Sequence, residues 1–193
     1  MKPKTQRYRE PFLEPILRKF RIQRVIKYIP RGCTLLDVGC GYSAAFLRSI
    51  SKHIGKGVGI DFKVSTEVVS NISTIQTHID NRLPFADCSF DIVTMLAVLE
   101  HIENDISVIQ EVHRVLKPRG KLILTVPSIW AKPVLEFLAF GLGVVSRSEI
   151  LDHKRYYTRE KLEHDLTFNA PFTNFYHHYF QFGMNNFCTV EKG

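Results

Sequence analysis

The stretch LLDVGCGYSAAF, residues 35–46, constrains this chain more than any other. An apolar run takes in Asp37 and ends at Val38. Two glycines follow, one residue apart, and then small and apolar residues resume. This pattern reads as a strand, a tight turn and the start of a helix. Glycine at 39 and 41 permits left-handed backbone and lets a ligand approach the main chain. The helix that follows offers N–H groups suited to a carboxylate or a phosphate.

The same alternation continues down the chain. Residues 33–38 predict a strand and 44–52 a helix. Residues 56–61 predict a strand, 64–71 a short helix, and 73–79 a strand. After the loop LPFADCS, residues 90–97 predict a strand and 104–116 a helix. The latter sets Ile106, Ile109, Val112 and Val115 on one face, and the Lys117–Gly120 run stops it. Residues 121–127 form a strand closed by Pro127. Strands rich in Val, Ile and Leu that alternate with helices imply a mostly parallel sheet covered on both faces. Beyond Pro127 comes an unusually apolar segment, 128–146. A helix opened by Thr158 follows, and then two strands, 172–182 and 184–191, joined around Gly183 as an antiparallel pair.

Length and composition fit one globular domain over residues 1–193. No apolar run is long enough to span a bilayer, and the polar N-terminus lacks the apolar core of a signal peptide. An intracellular, cytoplasmic protein is expected. The four cysteines, at 33, 40, 88 and 188, have no metal-ligand spacing and suit reduced thiols. The eight histidines show no HExxH-like spacing, so no metal is expected. The net charge of +7 fits a solubilising surface or attraction to an anionic partner. The absence of an aromatic-basic RNA motif or a zinc finger argues against nucleic acid. Residues 11–29 form a basic amphipathic helix, which either packs one face on its own domain or meets a membrane surface.

In an open parallel sheet, ligands sit beyond the C-terminal strand ends. Asp61 ends the second strand, twenty residues after Gly41, where a carboxylate can accept hydrogen bonds from both hydroxyls of a ribose. The run from Gly39 to Ala44 also matches the dinucleotide pattern GxGxxG/A, which leaves a nicotinamide or flavin nucleotide open. A turn that needs glycine for geometry alone is a third reading. Asp37, inside the strand end, suits the cation of an amino-acid moiety better than a pyrophosphate.

Further features recur in order: Asp80 before LPF, then FD opening the fourth strand, MLAVLEHIEND, and EVHRVLKPRGKLILTVP. With LLDVGCGYS they resemble the class I S-adenosylmethionine-dependent methyltransferases, in the branch of the ubiquinone/menaquinone C-methyltransferases, from about residue 35 to 127. HKRYYTREKL and the two final strands are a weaker echo of the same family. The resemblance implies a Rossmann-like α/β fold: a seven-stranded, mostly parallel sheet with the last strand antiparallel and helices on both faces. It implies S-adenosylmethionine as cofactor and S-adenosylhomocysteine as product. By position, Asp37, Gly39, Cys40 and Gly41 would surround the methionine part, Asp61 with Phe62 the ribose, and Asp80 with Asn81 the adenine. Met95, Leu96 and Ala97 would line the cofactor near the sulfonium. Ser43 departs from the family, which usually has a third glycine there.

Methyl transfer needs alignment of nucleophile, methyl and sulfur and exclusion of water. His101 either accepts a proton from the acceptor or pins its loop. His153 and Tyr156, in the cluster after the apolar segment, either touch substrate or cap an apolar, lid-like insertion at 128–157. The expected acceptor is a small molecule or lipid-like. The competing classes are a catalytically silent methyltransferase-fold subunit and an NAD(P)-dependent oxidoreductase.

Overall fold

The computed structural model describes residues 14–79, 82–136 and 154–193. Asp80, Asn81, His153, residues 11–13 of the predicted N-terminal helix and residues 137–153 of the predicted lid lie outside the described residues.

The chain opens with α1 (Glu14–Val25), which runs into a 3-10 turn over Ile26–Tyr28 and stops before Pro30. Then come β1 (Thr34–Val38), α2 (Ala45–Ser49), β2 (Lys56–Asp61), β3 (Glu67–Val69), β4 (Ile72–Gln76) and β5 (Phe90–Leu96). A 3-10 turn over Leu99–His101 leads to α3 (Asp105–Val115), β6 (Leu116–Pro127) and α4 (Ala131–Glu136). The chain ends with α5 (Arg159–Thr167), β7 (Phe172–Phe180) and β8 (Asn185–Lys192).

The strands form one sheet in the order β3-β4-β2-β1-β5-β6-β8-β7. The inner pairings β4-β2, β2-β1, β1-β5 and β5-β6 are parallel. The last strand, β8, is antiparallel to both its neighbours, as expected. Two expectations need correction. The sheet has eight strands among the described residues, not seven, and three of its pairings are antiparallel. The extra strand is β3, where a short helix was predicted. Its segment is rich in β-branched residues, and an isolated turn of helix is costly to nucleate. Ser70, at φ +58°, turns the chain back so that Val69 pairs with Ile72 and Glu67 with Thr74.

Side-chain alternation along the strands feeds two cores. Leu36, Val38, Val93, Leu122 and Leu124 pack with Val108, Ile109 and Val112 of α3 and Leu162 and Leu166 of α5. Leu35, Ile92, Ile123 and Phe187 face the other way, onto Val25 and Ile29 of the N-terminal helical segment and Phe46 and Leu47 of α2. Both faces are therefore covered, which explains why β1 and β5 read as continuous apolar runs. Because the four central pairings are parallel, the C-terminal ends of β1, β2, β5 and β6 open onto one end of the sheet. Asp37, Asp61, Ala97 and Ser128 gather there.

Candidate cofactor and acceptor site

The turn after β1 is fixed by main-chain contacts that only glycine allows. Gly39 has φ +76° and Gly41 φ +70°. A Cβ on Gly39 would sit 2.3 Å from Val98 Cγ2, whereas one on Gly41 would meet nothing within 4 Å. Gly39 is thus needed for close packing against the loop after β5, and Gly41 only for its backbone. The amides of Gly39 and Cys40 both donate to Ile60 O, at 2.8 and 3.1 Å. The Gly41 amide donates to Asp61 Oδ2 at 2.9 Å. Three consecutive loop amides are thereby engaged within the protein, and α2 is only five residues long. The turn amides of Gly39–Gly41 are thus not open to an anion, and the N–H groups expected for one belong to the short helix α2 that follows.

Asp61 is the hub of the turn. Its Oδ1 accepts from the Lys63 amide at 2.7 Å while Oδ2 holds Gly41. Each carboxylate oxygen has a second lone-pair direction for a ligand hydroxyl. Beside it, Phe62 is half exposed and stacks on His78, with ring centroids 5.8 Å apart and planes 8° from parallel. Asp37 is buried at the end of β1, and Thr94 Oγ1 donates to its Oδ1 at 2.7 Å. Burial raises the Asp37 carboxyl to about 7; the Thr94 bond opposes this, and the nearby Asp61 charge adds to it. A carboxyl in that state is stabilised in its ionised form by a cation placed beside it. Two acids, one of them buried, a glycine turn and a half-exposed aromatic fit a cofactor that carries a ribose and a cationic amino-acid part.

The structure sorts the remaining predicted residues. Cys40 turns its thiol away from the open face: it is buried, and its Sγ would lie 2.8 Å from a Cβ on Gly59. Burial, followed by the charges of Asp37 and Asp61, pushes that thiol far up, so Cys40 serves the loop through its backbone. The Met95 side chain lies wholly within the core beside α3. Leu96 and Ala97 are partly open at the strand end. Ala97 has φ +59°, and its amide donates to Thr125 O at 2.8 Å. His101 is partly exposed at the end of its 3-10 turn, and its amide donates to Val98 O at 2.9 Å. Tyr156 is partly exposed as well.

Several partners escaped the sequence reading. Thr94 and Val98 act on the glycine turn from β5 and the loop after it. Only the β1-β5 register, which sets Asp37 opposite Thr94, could have indicated the first. Tyr157 is fully buried, and its hydroxyl donates to Asp105 Oδ2 at 3.1 Å. Arg155 lies 2.8 Å from the same oxygen and also donates to Ile102 O and Glu103 O. The Lys154 amide donates to Glu100 O at 2.8 Å. The chain after the apolar segment thus bolts the 99–105 loop in place. Glu100 is buried there, and its Oε2 has no hydrogen-bond partner among the described residues. Burial raises its carboxyl to about 8, partly offset by its own backbone amide and by the Arg21 charge on α1.

Comparison with known proteins points one way. A family profile described as a methyltransferase domain matches residues 36–124. The chain is 33% identical over 127 residues to a demethylmenaquinone methyltransferase of Staphylococcus saprophyticus, covering 59% of this chain and 54% of that one. It is 31% identical over 103 residues to a 27-O-demethylrifamycin SV methyltransferase of Amycolatopsis mediterranei, covering 48% and 38%. The chain spans about half the length of the first curated relatives it matches. Among solved structures, it superposes on a chain of the complex between the Haloferax volcanii Trm112 activator and a methyltransferase. The TM-score is 0.71 at 15% identity, over 93% of this chain and 92% of that one. An Aquifex aeolicus SAM-dependent methyltransferase gives 0.65 at 17% identity, over 89% of each. With the glycine turn, its two acids and the antiparallel last strand in place, residues 36–124 are a methyltransferase domain, in a chain similar in sequence and fold to the class I S-adenosylmethionine-dependent methyltransferases.

Proposed function

We propose that the protein transfers a methyl group from S-adenosylmethionine to a small, largely apolar acceptor. The pairing of Asp61 with the Gly41 amide, beside the buried Asp37, carries this reading. Asp61 would take the ribose hydroxyls, with Phe62 beside it. Asp37 would face the cationic methionine part, and Leu96 and Ala97 would border the reacting end. Asp80 and Asn81 are assigned to the adenine by family position alone. The cofactor supplies an activated methyl on a sulfonium.

The chain's own task is to orient the acceptor in line and keep water out. The bolted 99–105 loop supports this by holding His101 at the C-terminal end of β5. His101 would accept a proton where the acceptor's nucleophile carries one, and His153 and Tyr156 would contact the acceptor. An apolar acceptor is supported by the exposed Ile129 and Trp130 at the same end of the sheet. One relative is named for demethylmenaquinone and another for 27-O-demethylrifamycin SV, so the branch takes more than one acceptor.

Calorimetric titration tests the reading with S-adenosylmethionine, S-adenosylhomocysteine, NAD and NADP. The first two bind, and Asp61→Ala weakens them at least about tenfold, the loss of charge-assisted bonds to two hydroxyls. Binding of NAD or NADP instead points to an oxidoreductase. Binding of none of the four points to a silent scaffold.

A further inference from the structure

We propose that the end of the molecule formed by the start of α1 and residues 128–130 docks on an anionic lipid bilayer. Charge supplies the first argument. Residues 1–30 hold nine Lys and Arg against two Glu, a net of +7, which is the whole net charge of the protein. The other 163 residues are balanced, with 17 basic and 17 acidic side chains. A basic block on an otherwise neutral chain marks an acidic partner.

Position supplies the second. Val25 and Ile29 anchor the N-terminal helical segment in the core, and Ile22 and Ile26 pack against the same core cluster as Leu96 and Phe180, which lie at strand ends. At the far end, Ile29 O is 2.7 Å from His53 Nε2, and His53 O in turn accepts from the Gly32 amide just before β1. The helix therefore descends from the C-terminal end of the central strands to the opposite one. Its first half lies at the cofactor end, where the Arg21 charge acts on Glu100.

Apolar exposure at that end is the third. Phe20 is 56% exposed next to the exposed Lys19. Trp130 is 66% exposed, Ile129 44%, and Phe182, in the β7-β8 turn, is fully exposed. The Ser128 amide donates to Met184 O at 2.9 Å and its hydroxyl to Gly183 O at 2.6 Å, so these two turns form one unit. Lys132 follows, exposed and without an ion pair among the described residues. Tryptophan, phenylalanine and lysine together are what a headgroup boundary accepts. A polyanion such as nucleic acid would use the charge but not the aliphatic and aromatic tips. No helix among the described residues is long and apolar enough to cross a bilayer, so the contact would be peripheral.

The chain contains one tryptophan, Trp130, which makes the surface its own reporter. Full-length protein is mixed, without cofactor or acceptor, with vesicles of phosphatidylcholine alone or of equal parts phosphatidylcholine and phosphatidylglycerol. The expected result is co-sedimentation with the anionic vesicles only, a blue shift of Trp130 emission, and quenching by brominated acyl chains. Added salt reverses all three. Lys19→Glu and Phe182→Ser, both at exposed positions, each lower vesicle partition by about fivefold or more. Absence of binding at low salt overturns the proposal. So does binding of a DNA duplex as tight as that of anionic vesicles with Trp130 emission unmoved, which would assign the charge to a polyanion. Because no methyl transfer is measured, failure here leaves the proposed activity untouched, and failure of cofactor binding leaves this surface untouched.

Discussion

At the scale of single residues, the glycine turn separates two uses of one amino acid. Gly39→Ala adds a left-handed alanine and a collision with Val98, so it should cost about 2–4 kcal/mol in urea unfolding. Gly41→Ala adds only the backbone term and should cost about 1 kcal/mol. Trimming Val98 to alanine in the Gly39→Ala background should recover the collision term but not the backbone term. Asp37 gives a prediction of a different kind. Its carboxyl, raised to about 7 by burial, is largely protonated at mildly acid pH. A cationic ligand draws it into the ionised form and releases a proton. Affinity for S-adenosylmethionine should therefore rise with pH up to about 7. The binding heat near neutrality should vary with the ionisation enthalpy of the buffer, and Asp37→Asn should abolish that variation.

At the scale of elements, the segment entering α5 does more than connect. Thr158 caps α5 by accepting from the Lys161 amide, and Thr158→Ala should cost about 1 kcal/mol. Just before it, Tyr157 and Arg155 converge on Asp105, the first residue of α3. Tyr157→Phe keeps the ring and removes one buried donor, a loss of about 1–2 kcal/mol by thermal or urea unfolding. Arg155→Ala leaves the nearly buried Asp105 without its cation and frees the Ile102 and Glu103 carbonyls. Amide hydrogen exchange over residues 99–104 should then rise, while exchange in β1 and β2 stays as it was.

At the scale of the whole molecule, stability should depend on pH through two buried acids. Asp37 and Glu100 both have folded pKa values raised above those of the unfolded chain. Below the unfolded values both states are protonated. As pH rises from there, only the unfolded state gives up these protons, so their contribution to stability falls. For Asp37 the fall runs from its ordinary value to about 7, and for Glu100 to about 8. Glu100→Gln removes the second part. The melting temperature of this variant relative to the native protein should climb across that window and level off above about 8. A difference that is flat with pH would place Glu100 in a more solvated setting than the structure gives it.

The sequence by itself determined the cofactor turn, because its signals are local. Val38, Gly39, Gly41 and Asp61 mark strand ends and a backbone conformation that only nearby residues specify. The alternation of apolar runs likewise determined the parallel core, and the short turn at Gly183 the antiparallel β7-β8 pair. Tertiary structure alone decided the rest. β3 became a strand because β4 offered it an edge. Asp37 met Thr94, Gly39 met Val98, and Tyr157 met Asp105 through contacts more than fifty residues apart in the chain. Strand register and loop docking set such pairs, and no periodicity or composition encodes them. The same holds for the proposed docking surface, since only the fold can set the first half of α1 and residues 128–130 at one end of the sheet.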